Sequence, residues 1–274
     1  MPFAIDDLTS VIAHWSADAI VGLVDGDPVD ALPDSISSWD LTGTTTTRPL
    51  YRPTGINSLP SIEFDGSDDF LVSASKSLSV TNIGMAIISK VTLKNYGAVL
   101  FFSTLSGSPG YQAATTRLQS MTWLTLTQCI VGAGDGSSTA YALAQSVLTT
   151  NVKSLITGVC GGSIYFIRVN GSAYRRNADY NPPVPCNLSA TSVYANLGRT
   201  SLAGAFLQGH VSEIVVWDES LGNESFYIEG VLAHKYGITL STTHPFYTAA
   251  PTSGPPTGAG GGLMKIGQGG GYNG

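Results

Sequence analysis

Charge is what this chain has least of. Only 12% of its 274 residues are Asp, Glu, Lys or Arg, and 13 basic against 19 acidic side chains leave a net charge of −6. That is about half the usual charged share of a soluble domain. Neutralising nucleic-acid phosphates takes clustered Lys and Arg, and the one basic pair is Arg175-Arg176, so a nucleic-acid partner is not expected. Cysteine is scarce too: Cys129, Cys160 and Cys186 are odd in number and lack paired spacing, which favours buried thiols in a reducing compartment over a disulfide or metal framework. Long apolar runs are missing. The run at 98–102 is strand-sized, so no membrane insertion is expected. The first seven residues, Met-Pro-Phe-Ala-Ile-Asp-Asp, carry neither a basic n-region nor an apolar h-region, so no secretory signal is expected. The four histidines, His14, His210, His234 and His244, stand without a nucleophile motif, and phosphate loops and CxxC pairs are absent.

What is present is β-sheet patterning. At 59–72, Ile62 and Phe64 alternate with Ser61, Glu63 and Asp65; Asp65-Gly66 then offers a positive-φ turn and Phe70-Leu71-Val72 resumes the apolar run. The spacing predicts a β-hairpin. Further strands are predicted at 11–15, 84–91, 97–103, 121–130, 155–160, 164–169, 193–197 and 207–217, with Gly161-Gly162 and Asn170-Gly171 as hairpin turns. Segments such as Arg52-Pro53-Thr54-Gly55, Gly132 to Gly136 and the proline run at 181–185 read as loop. One helix is predicted over 223–236, with Ile228, Val231, Leu232 and Tyr236 forming its apolar stripe, Asn223 and Gly237 its caps, and a place at the edge of the sandwich. The fold expected is all-β, a two-sheet antiparallel jelly-roll sandwich with one short C-terminal helix. Residues 1–10 form an N-terminal arm, 11–247 the sandwich, and 248–274 a Pro/Gly-rich tail.

Several motifs in order resemble concanavalin A-like lectin/glucanase domains of the LamG type. The Phe-Asp-Gly stretch at 64–66 with Asp68, Asp69, Phe70 and Leu71 is one; His14 to Asp18, Asp25-Gly26, Trp39-Asp40 and Arg48-Pro49 precede it. Phe206, Gly209, Val211 and the run 213–217 follow, then 229–237 and His244-Pro245-Phe246. The resemblance spans about residues 11–247 and implies the sandwich, without naming an activity. Domains of this kind recur in structural proteins of bacteriophage virions. The resemblance, with the charge-poor surface that partners would cover, implies a non-enzymatic assembly subunit: a capsid decoration, head-fibre or tail-associated virion protein. Its partners would be other virion subunits or copies of itself. The alternative is a glycan-binding or receptor-binding module that meets a host surface glycan.

Candidate chemistry is sparse. Glycosidases of this fold place paired carboxylates on one strand, but Glu63, Asp65 and Asp68 straddle a glycine turn, so no catalytic residues are assigned; the aspartates are expected to accept backbone donors. Sugars stack on exposed aromatics, and Trp39, Tyr111 and Tyr141 lie in or beside polar, loop-like segments. Trp15, Trp123 and Trp217 sit in strand patterns and are expected in the core, and His234 is expected to be structural. No cofactor is expected; related domains often hold Ca2+ in loops, and were it bound here, Asp135 inside its glycine loop is the ligand the sequence offers. In the tail, Leu263, Met264, Ile266 and Tyr272 are the apolar groups expected to dock on a neighbouring subunit.

Overall fold

A computed structural model describes residues 3–80, 82–93, 98–103, 118–125, 128–134, 139–144, 148–161, 164–175, 190–199, 206–218 and 224–254. In chain order the strands are β1 (Val11–Ser16), β2 (Ala31–Leu32), β3 (Leu41–Thr42), β4 (Leu50–Ile56), β5 (Leu59–Asp65), β6 (Leu71–Ser73), β7 (Lys76–Leu78), β8 (Asn82–Leu93) and β9 (Ala98–Ser103). Then come β10 (Leu118–Thr125), β11 (Gln128–Gly134), β12 (Thr139–Ala144), β13 (Lys153–Gly161), β14 (Ile164–Val169), β15 (Ser172–Arg175), β16 (Ala190–Leu197), β17 (Gln208–Asp218) and the helix α1 (Glu224–Lys235). They form two antiparallel sheets, a jelly-roll sandwich. The first sheet has 8 strands in the order β15-β14-β13-β8-β17-β5-β4, with β1 also on β17; the second has 9, β12-β11-β10-β9-β16-β6-β3-β2, with β7 also on β16. Among the described residues no helix is long and apolar enough to cross a membrane.

Two strands show why the sheets stack as they do. Along β8, Ile83, Met85, Ile87 and Val91 enter the cluster between the sheets, while Ala86 and Ile88 enter a second cluster on the other face. This is the period of two expected of a strand buried on both sides. In β17 the unbroken run Ile214-Val215-Val216-Trp217 divides the same way. Trp217 is fully buried, and a methyl group on Gly84 of the adjacent β8 would lie 2.0 Å from its ring, so the packing requires glycine there.

The second cluster is closed by α1 and the chain ends. Ile228, Leu232, Ala233 and Tyr236 meet Ile88, Leu155, Val159 and Val215, and Ile5 and Leu8 of the arm join them. The helix therefore covers the outer face of the first sheet over β8 and β13, and does not sit at the edge expected from its sequence. Its end is a Schellman cap: Gly237 has φ 58, its N–H donates to His234 O, and the Ile238 N–H donates to Ala233 O at 2.8 Å. Pro251 is buried, and Gly254 lies beside the Phe3 ring.

The expected hairpin at 59–72 does not form. β5 pairs β4 and β17 in the first sheet, whereas β6 pairs β3 and β16 in the second. The Asp65-Gly66 turn is a crossover between layers: Phe64 and Leu71 both point into the cluster between sheets, which a flat hairpin could not achieve. The true hairpin is β4-β5, turning at Asn57-Ser58 with φ 53 and 60, the left-handed pair of a type I′ turn. Arg52 to Gly55 are thus strand, not loop; Pro53 is tolerated because β4 is an edge. The single strand expected at 121–130 is two, β10 and β11, and β11 runs through Gly132 to Gly134. Hairpins β13-β14 and β14-β15 form as the sequence predicts.

Candidate functional site

The outer face of the first sheet is sealed by two ionic networks. In one, Glu213 of β17, 2% exposed, accepts from Lys235 Nζ at 2.5 Å and Tyr236 Oη at 2.8 Å, and pairs with His14 Nε2 at 2.7 Å. His14 Nδ1 meets Asp6 of the arm, and Lys235 reaches Asp18 at 2.7 Å. Burial alone would lower the His14 pKa, but the Glu213 and Asp6 carboxylates raise it above the ordinary value. Burial likewise opposes the Glu213 charge, and His14 and Lys235 outweigh it, so the carboxyl is held low. In the other network the fully buried Glu229 accepts from Arg168 Nε at 2.6 Å and pairs with His244 Nε2 at 3.0 Å. The Arg168 guanidinium lies 4.4 Å and 4.3 Å from the Phe166 and Phe226 rings. These pairs tie the arm, α1 and the 240s to the sheet. His234 is structural as well, meeting the Phe246 carbonyl at 2.8 Å.

Beyond the helix, the same face brings together a serine, a histidine and a carboxylate that are distant in sequence. Ser61 Oγ is 3.1 Å from His210 Nδ1, and His210 Nε2 is 3.7 Å from Glu63 Oε1. The roles of a nucleophile relay are not met. Ser61 is fully buried beneath Gly55, whose missing Cβ would fall 1.8 Å from the hydroxyl. Glu63 is held by Arg52 Nε at 2.5 Å, and burial with Lys90 keeps His210 below its ordinary pKa. Asp65, Asp68 and Asp69 place carboxylate oxygens within 4.8 Å of one another, the described group with metal-ligand spacing. Their oxygens already serve the turn: Asp65 Oδ1 accepts from the Ser67 N–H at 2.7 Å and Asp69 Oδ2 from the Asp65 N–H at 2.9 Å.

The second sheet's outer face is different. Among the described residues no helix or arm lies over it. Val193, Ala195 and Leu197 of β16 point into the core, so Ser192, Tyr194 and Asn196 are on the outward face. Beside them on this face lie Val72 of β6, opposite Asn196, and Thr42 of β3, opposite Val72. Phe70 precedes β6, and the guanidinium of Arg199 stacks on its ring, Cζ 3.6 Å from the centroid. Arg199 Nη2 also donates to Asn196 Oδ1 at 3.2 Å, and the amide is covered by its neighbours. The patch presents a half-buried tyrosine, a stacked arginine seated on an amide, and a threonine, the mixture of flat apolar and planar polar groups that recognises sugars.

The sequence-selected residues fare unevenly. Trp39 is 4% exposed: its ring stacks on Phe102 at 5.9 Å, tilts against Trp15 at 5.6 Å and donates Nε1–H to the Ala74 carbonyl. It is a core residue and offers no ring face to a sugar. Tyr141 is not in a loop; it lies in β12, opposite Gly132. Tyr111, Asp135, Leu263, Met264, Ile266 and Tyr272 lie outside the described residues. Trp15 and Trp217 are fully buried, as their strand patterns predict. The outer-face group of Phe70, Tyr194, Asn196 and Arg199 was not selected from sequence. The alternation of 192–197 could have revealed its strand part; nothing in sequence brings Phe70 beneath Arg199.

No family model matches the sequence, and no curated protein does. Solved structures match by shape. Domain 4 of AbnA, a GH43 extracellular arabinanase from Geobacillus stearothermophilus, solved in complex with arabinotriose, superposes with a TM-score of 0.52 and 12% identity, covering 76% of this chain and 92% of that one. The binding domain of botulinum neurotoxin serotype D gives 0.51 and 11% identity, covering 82% of this chain and 52% of that one. The likeness is one of fold. It places this chain among two-layer antiparallel β-sandwiches and says nothing by itself of a ligand.

Proposed function

We propose that this chain is a carbohydrate-binding module whose ligand lies on the outer face of the second sheet. The observation that carries the reading is the asymmetry of the sandwich: one outer face is sealed by helix, arm and ion pairs, while the other holds Tyr194, Asn196, Arg199 and Phe70 with no described element over them. Fold likeness to a domain solved with arabinotriose supports it. The module is non-enzymatic in this reading, since Ser61 is closed off and Glu63 is engaged by Arg52. The test is a glycan array followed by titration calorimetry on the isolated chain. Tyr194→Ala should weaken a bound oligosaccharide about tenfold, the loss of one stacking contact, with thermal stability retained. Binding untouched by that substitution would move the site elsewhere.

A second reading, a structural subunit of a bacteriophage virion, is favoured by the 12% charged composition and by the loop that exposes Val21 and Val24 at 86% and 67%. Its partners would be copies of itself or other virion subunits, and the glycan would then be a host surface sugar.

A further inference from the structure

Four arginine side chains are described, and three of them meet a carboxylate: Arg48 with Asp30, Arg52 with Asp25 and Glu63, Arg168 with Glu229. Arg199 is the exception. Its neighbours are the Phe70 ring at 3.6 Å and the Asn196 amide oxygen at 3.2 Å, and its Nε is buried without a hydrogen-bond partner among the described residues. No described carboxylate lies within ion-pair distance, the aspartates of the turn before Phe70 included. Burial holds the Arg199 pKa below the ordinary arginine value.

A half-buried guanidinium with no counter-ion among the described residues is costly to keep unless something pairs it. Stacking on Phe70 fixes the plane of the fork, and the Asn196 bond fixes its rotation about that plane. Little side-chain freedom is then lost when the fork meets a planar anion, and Arg pairs carboxylates bidentately where Lys cannot. Tyr194 and Asn196 project from the same strand face two residues apart, and Asn196 holds the fork, so a sugar ring resting on Tyr194 places its substituents near the guanidinium.

We propose that Arg199 is the anion-recognising group of the sugar site and that the preferred ligand is a carboxylate-bearing sugar. This inference rests on the carbohydrate-binding reading. The two separate experimentally through paired probes: tri-galacturonate against galactotriose, and N-acetylneuraminate against lactose, each titrated into the wild-type chain and into Arg199→Gln and Arg199→Lys. One acidic probe should bind at least about tenfold tighter than its neutral counterpart, as a charge-assisted bidentate pair provides. Which acidic probe it is identifies a uronate or a sialate ligand. The preference should shrink as salt rises, vanish in Arg199→Gln and survive in part in Arg199→Lys. The wild-type preference is read without any substitution, so a variant that fails to fold leaves the test intact. Neutral sugars bound as tightly as acidic ones would overturn the inference and leave the module standing. Failure of both acidic probes would overturn the inference, and a blank glycan array would overturn the module with it.

Discussion

Single positions in this molecule are constrained by space and by charge in distinguishable ways. Gly84 is a matter of space: fully buried Trp217 occupies the place its side chain would take. Gly84→Ala forces the indole or the strand to move, and overpacking of this kind costs about 3 kcal/mol; the urea midpoint should fall, with tryptophan emission shifting red. Asp69 is a matter of charge. Burial first, then the neighbouring Asp65, Asp68 and Glu63 carboxylates, push its pKa up to about 6, against the help of the Asp65 N–H. An acid whose native pKa is raised holds its proton longer folded than unfolded, so stability falls as pH rises from its unfolded value of 3.8 towards 6. Asp69→Asn keeps an acceptor for Asp65 and removes the penalty. It should stabilise the chain by about 1–2 kcal/mol at pH 7.5, a gain that thermal melts should see vanish near pH 4. A gain independent of pH would mean that the carboxyl is not the cause.

At the scale of elements, the joint between α1, β14 and the 240s depends on Glu229. Its two oxygens take Arg168 from the sheet and His244 from the segment after the helix. Glu229→Ala leaves a buried guanidinium without its counter-charge, and breaking such a pair from one side costs about 3–5 kcal/mol. Calorimetry should record the drop, and hydrogen exchange should place the loosening first at 238–247. The same scale shows where sequence reading succeeds. β8, β13, β14 and β17 alternate or run apolar over many residues, so their state is set locally. It fails at 50–73. The Asp65-Gly66 turn suits a hairpin as well as a crossover, and Leu71 finds its partner 126 positions away in Leu197, by the numbers of the pair itself (197 − 71). No local pattern carries that choice.

For the whole molecule, the question is what meets the sheet face that no described helix or arm covers, and the exposed valine loop. Among the described residues the members of both apolar clusters end at Phe246, so a chain ending at Tyr247 should fold cooperatively. On the virion reading it should also lose incorporation into the particle, as judged by gradient sedimentation with particle proteins; undiminished incorporation would remove the docking role from Leu263, Met264, Ile266 and Tyr272. On the carbohydrate reading the shortened chain should keep full sugar affinity as a monomer.

Residue order alone determined that the chain is β-rich, where most long strands lie, and that a short helix with a glycine cap follows the last strand, because those properties depend on neighbours two to five positions apart. Packing in three dimensions decided which strands share a sheet, that Trp39 lies inside, and that Phe70, Tyr194, Asn196 and Arg199 meet on the outer face of the second sheet. Those outcomes depend on which distant surfaces bury each other, and the free energy of that burial belongs to the assembled layers rather than to any one stretch.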